Sequence, residues 1–187
     1  MHLVEYKRCR DVHIEVTSYE GWLSGQTILT TNTNFENLIQ SKIMVKTSDI
    51  KLIVKSGEKI EAIKCHSNHL CIKSPYFFNL LESGFLESEI GEIETQCSKE
   101  AIIPILQYIY TGEIERGFFI KENYDTILEM YSKVCEYEME KVKSIVEVFI
   151  LAFLDQYNYK LLVQSTILNR DDPFSMKAMK FIANYFK

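Results

Sequence analysis

Residues 72–113, IKSPYFFNLLESGFLESEIGEIETQCSKEAIIPILQYIYTGE, read as helix, acidic loop, short strand, helix, turn. Ser74 supplies a capping oxygen, and Pro75 suits the first helical position, where its missing N–H is not needed. Tyr76, Phe77, Phe78, Leu80 and Leu81 crowd the helix, and Gly84 stops it. Ile90, Ile93 and Thr95 alternate with acidic residues as a strand would. Ser98 opens a second helix carrying Ile102, Leu106, Ile109 and Tyr110 at helical spacing, closed by Thr111-Gly112. Pro104 removes one backbone hydrogen bond from that helix, so it either kinks there or starts later than Ser98.

Upstream, Ser48 to Val54 alternates as a first strand, and Gly57 turns the chain into a second, Lys59 to Cys65. Thr33-Asn34 caps an expected helix over 35–43 with Phe35, Leu38, Ile39 and Ile43 on one face. Residues 1–30 suggest two short strands and a turn at Trp22. Downstream, Tyr124, Ile127, Leu128, Tyr131, Val134 and Cys135 recur at helical spacing, so the stretch near 116–146 is a docked helix and not a floppy loop. The tail from Pro173 is amphipathic, with Met176, Met179, Ile182 and Ala183 grouped.

The motifs Ser74-Pro75-Tyr76-Phe77, Ser83-Gly84-Phe85 with Glu87-Ser88, and Tyr108-Ile109-Tyr110-Thr111-Gly112-Glu113, in this order, resemble the core of a BTB/POZ domain. The resemblance is strong over 48–114 and weaker over 147–186. It implies an α+β fold, a small mixed sheet from the segments at 49–65 and 90–95 surrounded by helices, with a helical insertion and a short C-terminal helical extension. Residues 1–46 would form an N-terminal extension, 47–163 the BTB/POZ domain with its insertion at about 116–146, and 164–187 the extension. His66 and Leu70 match family positions. Ser67 departs from the basic residue usual there, so Asp49 is expected without a basic partner across the pocket that several relatives form.

The resemblance also implies binding and not catalysis. Phe85-Leu86-Glu87 matches the hydrophobic-x-Glu motif that cullin-binding BTB domains place after their second helix, an aromatic anchor beside a charge that sets register. A cullin adaptor delivering an unidentified substrate protein is one expectation. The alternative is a homo-oligomerising scaffold, or a competitor that occupies a BTB partner without delivering a substrate. In many relatives the helix at Phe35, Leu38, Ile39 and Ile43 packs against its twin in a homodimer; the same stripe equally suits a helix covering its own core.

Composition narrows the remaining classes. With 187 residues, 47% hydrophobic and 12% aromatic, the chain can build a packed core. A net charge of −5 argues against nucleic-acid binding, which needs a basic face. Cysteines at 9, 65, 71, 97 and 135 follow no framework spacing and read as reduced thiols. The N-terminus lacks the apolar core of a signal peptide, and the apolar run Val146 to Leu154 is too short to span a bilayer. A soluble cytoplasmic or nuclear protein without membrane contact is expected.

Cys65, His66, His69 and Cys71 carry metal-ligating atoms, but the spacing is not that of structural zinc sites, and adjacent Cys65 and His66 point apart. No nucleophile elbow, phosphate-cradling loop or metalloprotease motif appears. The sequence therefore implies no enzyme, no metal and no cofactor. The pairs Glu87/Glu89 and Glu92/Glu94 read as a solvated acidic face.

Overall fold

The computed structural model describes residues 32–83, 90–165, 168 and 172–185. The chain divides into residues 1–30 and 31–187, and the described residues all belong to the second unit. The strands expected within 1–30, and Phe85-Leu86-Glu87, lie outside the described residues.

A three-stranded sheet of order β2-β1-β3 is built from β1 (Ile50–Ser56), β2 (Lys59–Cys65) and β3 (Glu92–Gln96). β1 runs antiparallel to β2 and parallel to β3, with Leu52 opposite Ile63 on one side and Ile93 on the other. The period of two sends Ile50, Leu52, Val54, Ile63, Cys65, Ile93 and Thr95 inward. On the outer face Lys51 pairs with Glu92 at 2.7 Å and Lys55 with Glu94 at 2.5 Å. Such exposed pairs fix little stability, so register rests on the buried layer. Gly57, at φ +59°, makes the tight β1–β2 turn that a side chain would strain. Ile90 lies outside β3 and is exposed, because Gly91 at φ +70° turns the chain before the strand begins.

Helices cover the inner face. α1 (Asn32–Ile39) and α2 (Lys42–Thr47) precede the sheet, and α3 (Ser67–Lys73) and α4 (Pro75–Glu82) follow β2. α5 (Lys99–Thr111) follows β3 and is the central helix. Its N-cap Ser98 accepts from the Ala101 N–H at 3.2 Å, and Gly112 closes it in the left-handed region, φ +81°. Pro104 sits buried inside a helix that starts at Lys99, which answers where the helix begins. α6 (Tyr124–Glu136) and α7 (Glu140–Ala152) complete the main layer, with α8 (Tyr159–Gln164) and α9 (Pro173–Tyr185) beyond.

The stretch near 116–146 packs as core: Ile127, Met130, Tyr131, Val134, Val142 and Val146 are fully enclosed. Glu129 on α6 accepts the Ser98 N–H at 2.7 Å and the Ser98 hydroxyl, tying α6 to the start of α5. Tyr137 is the polar hinge of this core. Its carbonyl accepts the Ser74 hydroxyl at 2.6 Å, its own hydroxyl bonds Thr95 at 2.7 Å, and its ring lies 4.6 Å from Phe77.

Two helical readings change in three dimensions. The helix expected over 35–43 stops at Ile39, and Ser41 caps a new one by accepting the Met44 N–H at 3.3 Å. In α9 the buried side is Phe174, Ser175 and Ala178, with Phe181 and Ile182 partly covered, whereas Met176 and Met179 face outward. Phe174 lies 5.0 Å from Tyr131 and sets that rotation.

Candidate partner-binding site

The start of β1, α3 and α4 enclose an open groove of about 750 Å³. Asp49 stands immediately ahead of β1 and accepts the Ser67 N–H at 2.8 Å and the Ser67 hydroxyl at 2.5 Å. Ser67 is the first residue of α3, so the carboxylate satisfies a helix N–H that has no partner within the helix and sits where the helix dipole favours negative charge. Burial disfavours the Asp49 carboxylate, but the hydrogen bonds from the Ser67 hydroxyl and N–H outweigh it and hold the pKa below its ordinary value. Among the described residues it is Ser67, and not a basic side chain, that pairs with Asp49.

The opposite wall is apolar and acidic. Ile72, Phe78 and Leu81 line it with Glu82 and Cys71. Ile72 is 77% exposed and Phe78 50% exposed. Local periodicity explains this: on α3 only Leu70 turns to the core, and two residues further on a helix faces the other way. On α4 only Phe77 is fully buried, which leaves its neighbour Phe78 outside. Burial raises the Cys71 thiol, with Glu82 and Asp49 adding to the rise, which favours its protonated form.

Beside the groove, His66 and His69 close around Tyr110 from the end of α5. The Tyr110 hydroxyl accepts the His66 backbone N–H at 2.9 Å and lies 3.0 Å from Nδ1, while His69 stacks on the ring at 4.8 Å. Burial pushes the Tyr110 hydroxyl up to about 12, so it is a neutral hydrogen-bonding post. Cys65, also raised by burial to about 12, is sealed in the core. Cys65, His66, His69 and Cys71 therefore do not converge, and among the described residues no group of three or more His, Cys, Asp and Glu is placed to hold a metal ion.

The four residues expected on one face of a dimerisation helix separate. Phe35 and Ile39 are buried in the domain's own core, Phe35 6.2 Å from Tyr110, while Leu38 is 47% and Ile43 75% exposed. Phe85, Leu86 and Glu87 follow α4 after Ser83 and Gly84 in sequence and lie outside the described residues. Sequence reasoning passed over Ile72, Phe78 and Glu82. A helical wheel of 67–73 that placed Leu70 inward would have shown Ile72 pointing away from the core.

The described residues thus form a three-stranded mixed sheet under a helical layer, with an open groove where β1 begins. The chain belongs to the BTB/POZ domain family, whose model matches residues 35–154, a span that includes α6 and α7. Among curated proteins it is similar to Kelch repeat protein M-T8 of Myxoma virus (strain Lausanne), 25% identical over 103 residues, covering 52% of this chain and 19% of that protein. It is also similar to Kelch-like protein 30 of Mus musculus, 28% identical over 80 residues, covering 42% of this chain and 13% of that protein. The chain thus spans less than a fifth of the length of either relative. Similar solved structures are the BTB domain of human gigaxonin (22% identity, TM-score 0.46, covering 67% of this chain and 97% of that one) and the BTB domain of zebrafish PATZ1 (22% identity, TM-score 0.43, covering 67% and 98%).

Proposed function

We propose that this protein is an adaptor of cullin-type ubiquitin ligases, engaging the cullin through the surface that follows α4. The observation that carries the reading is Phe85-Leu86-Glu87, a hydrophobic-x-Glu motif that begins two residues beyond the end of that helix in a chain of the BTB/POZ family. An aromatic anchor contributes area to such an interface, and a nearby carboxylate sets its register. Titration calorimetry against a cullin N-terminal domain tests the reading. Heat with equal stoichiometry, lost in Phe85→Ala, is expected; absence of heat with both proteins at about tens of micromolar, where even a weak specific complex would form, would sink it.

A second reading, a homo-oligomerising scaffold or competitor without substrate delivery, is favoured by the exposed Leu38 and Ile43. A stable dimer that ignores the cullin domain selects it. Loss of that dimer in Leu38→Glu/Ile43→Glu would place the contact on α1 and α2.

A further inference from the structure

We propose that α9 is a detachable strap, docked against the mutual repulsion of Glu147 on α7 and Asp172 at its own start, so that removing either charge tightens its hold. The proposal involves none of Phe85-Leu86-Glu87 and stands apart from the cullin reading. The strap grips by few side chains. Phe174 and Ala178 are buried, Phe181 and Ile182 are partly covered, and Met176 and Met179 face outward. Its first anchor, Phe174, packs with ring centroids 5.0 Å from Tyr131. Tyr131 is fully enclosed, and its hydroxyl donates to Glu147 Oε1 at 2.9 Å. Asp172, immediately ahead of α9, accepts the Ser175 N–H at 2.8 Å and so caps the helix. The start of α9 therefore closes on a phenol whose partner is a carboxylate, and it brings a second carboxylate with it.

The groups that act on Glu147 come from all three helices. On α6 are the Tyr131 hydroxyl and, one turn on, the Cys135 thiol, which bears on that hydroxyl. On α7 are Lys143, which favours the carboxylate, and Glu140, which opposes it and lies 3.7 Å from Lys143. From the start of α9 comes Asp172, which also opposes it, while Lys177 and Lys180 of the same helix are exposed. Burial is the largest influence. With Asp172 and Glu140 it outweighs the Tyr131 bond and Lys143, and it holds the Glu147 pKa above its ordinary 4.5. Undocking α9 uncovers Tyr131, admits water to Glu147 and takes Asp172 away, so the ionised carboxylate favours the undocked state. A carboxyl raised in the docked state opposes docking above the docked pKa. That opposition fades as pH falls through the docked value and is gone below the undocked one. The sign is opposite to that of Asp49, whose pKa is lowered. Release leaves a folded domain, since Ile127, Met130, Val134, Val142 and Val146 are enclosed on α6 and α7, and it bares Tyr131 and Phe174 as apolar surface.

Hydrogen exchange read by mass spectrometry on the full chain, corrected for the intrinsic pH dependence of exchange, tests the strap. Protection across α9 should rise about threefold or more from about pH 7.5 to about pH 5, while α5 and α6 keep theirs. Glu147→Gln removes the charge and keeps an oxygen for the Tyr131 hydroxyl. At about pH 7.5 it should bring α9 to the protection seen at about pH 5 and flatten the pH dependence. Asp172→Asn keeps a capping oxygen and should raise α9 protection in part, adding little on top of Glu147→Gln, as interacting groups do. Glu58→Gln, in the β1–β2 turn, should leave α9 unchanged. No pH dependence in the wild type would overturn the proposal. Lower α9 protection in Glu147→Gln would overturn it too, by making the carboxylate a tie. Fully additive effects of the two substitutions would remove the like-charge contact, and an equal rise in α5 and α6 would make the effect one of the whole domain; either overturns it. If Glu147→Gln unfolds the chain, Asp172→Asn decides, and unchanged α9 protection at about pH 7.5 overturns the proposal.

Discussion

Ser67 donates its backbone N–H and its hydroxyl to the two oxygens of the Asp49 carboxylate, at 2.8 and 2.5 Å, joining the start of α3 to the start of β1. The contact spans eighteen residues of chain and replaces an ion pair with a charge-assisted hydrogen-bond pair. It makes the junction sensitive to acid.

That sensitivity has a definite sign. The Asp49 pKa is depressed below its ordinary value of 3.8 because the Ser67 bonds outweigh desolvation. Asp155 is depressed in the same way, desolvation being outweighed by Lys121 and by the Tyr157 and Asn158 N–H groups. A carboxyl depressed on folding adds stability that is complete above the unfolded pKa and is lost as pH falls through the folded one. The melting temperature should therefore hold steady at neutral pH, as far as these two groups set it, and fall below about pH 4. Asp49→Asn should show a shallower fall by circular dichroism; an unchanged acid slope would mean that the Ser67 bonds add no stability.

Tyr137 should behave as a hinge of the core. Tyr137→Phe keeps the ring against Phe77 and leaves the Thr95 hydroxyl only its contact with the Cys97 thiol, costing about 1–2 kcal/mol in a denaturant titration. Tyr137→Ala also opens a cavity among fully buried side chains and should cost about 3–5 kcal/mol. Equal losses in the two variants would mean that the ring contributes nothing beyond its hydroxyl.

The docking of α9 hangs on one aromatic contact. Phe174→Ala removes the ring packed on Tyr131. Hydrogen exchange should then rise across α9 while α5 and α6 keep their protection, because the enclosed residues Ile127, Met130 and Val134 form a core without it. Loss of protection across the whole domain would make α9 part of one cooperative unit.

The hydrogen bonds around His66 select one tautomer. The Thr47 hydroxyl donates to the Ile43 carbonyl at 2.9 Å, so its oxygen accepts from His66 Nε2–H at 2.8 Å. Nδ1 then accepts the Tyr110 hydroxyl proton at 3.0 Å. Nitrogen NMR of the neutral form should show the Nε2–H tautomer, and Tyr110→Phe should relax that preference. An Nδ1–H majority in the native protein would contradict the arrangement.

Much of this molecule was written locally. The β1–β2 hairpin, the caps Ser74 and Ser98, and the left-handed stop at Gly112 each depend on residues within a turn or two, so alternation and capping chemistry determine them. The same reach made the BTB/POZ motifs and Phe85-Leu86-Glu87 visible in the sequence alone. The tertiary structure decided which apolar side chains stay outside. Periodicity grouped Phe35, Leu38, Ile39 and Ile43, yet Tyr110 and the sheet take in only Phe35 and Ile39, and Ser41 starts a new helix. Periodicity likewise grouped Met176, Met179, Ile182 and Ala183 on α9, yet the contact with Tyr131, more than forty residues away, turns the side bearing Phe174 inward and leaves both methionines outside. The groove belongs to the same class, since Asp49 and Glu82 line one groove only after β1, α3 and α4 have packed. Hydrophobic burial is non-directional, so a sequence states how much apolar surface an element carries, and long-range packing states which part of it is covered.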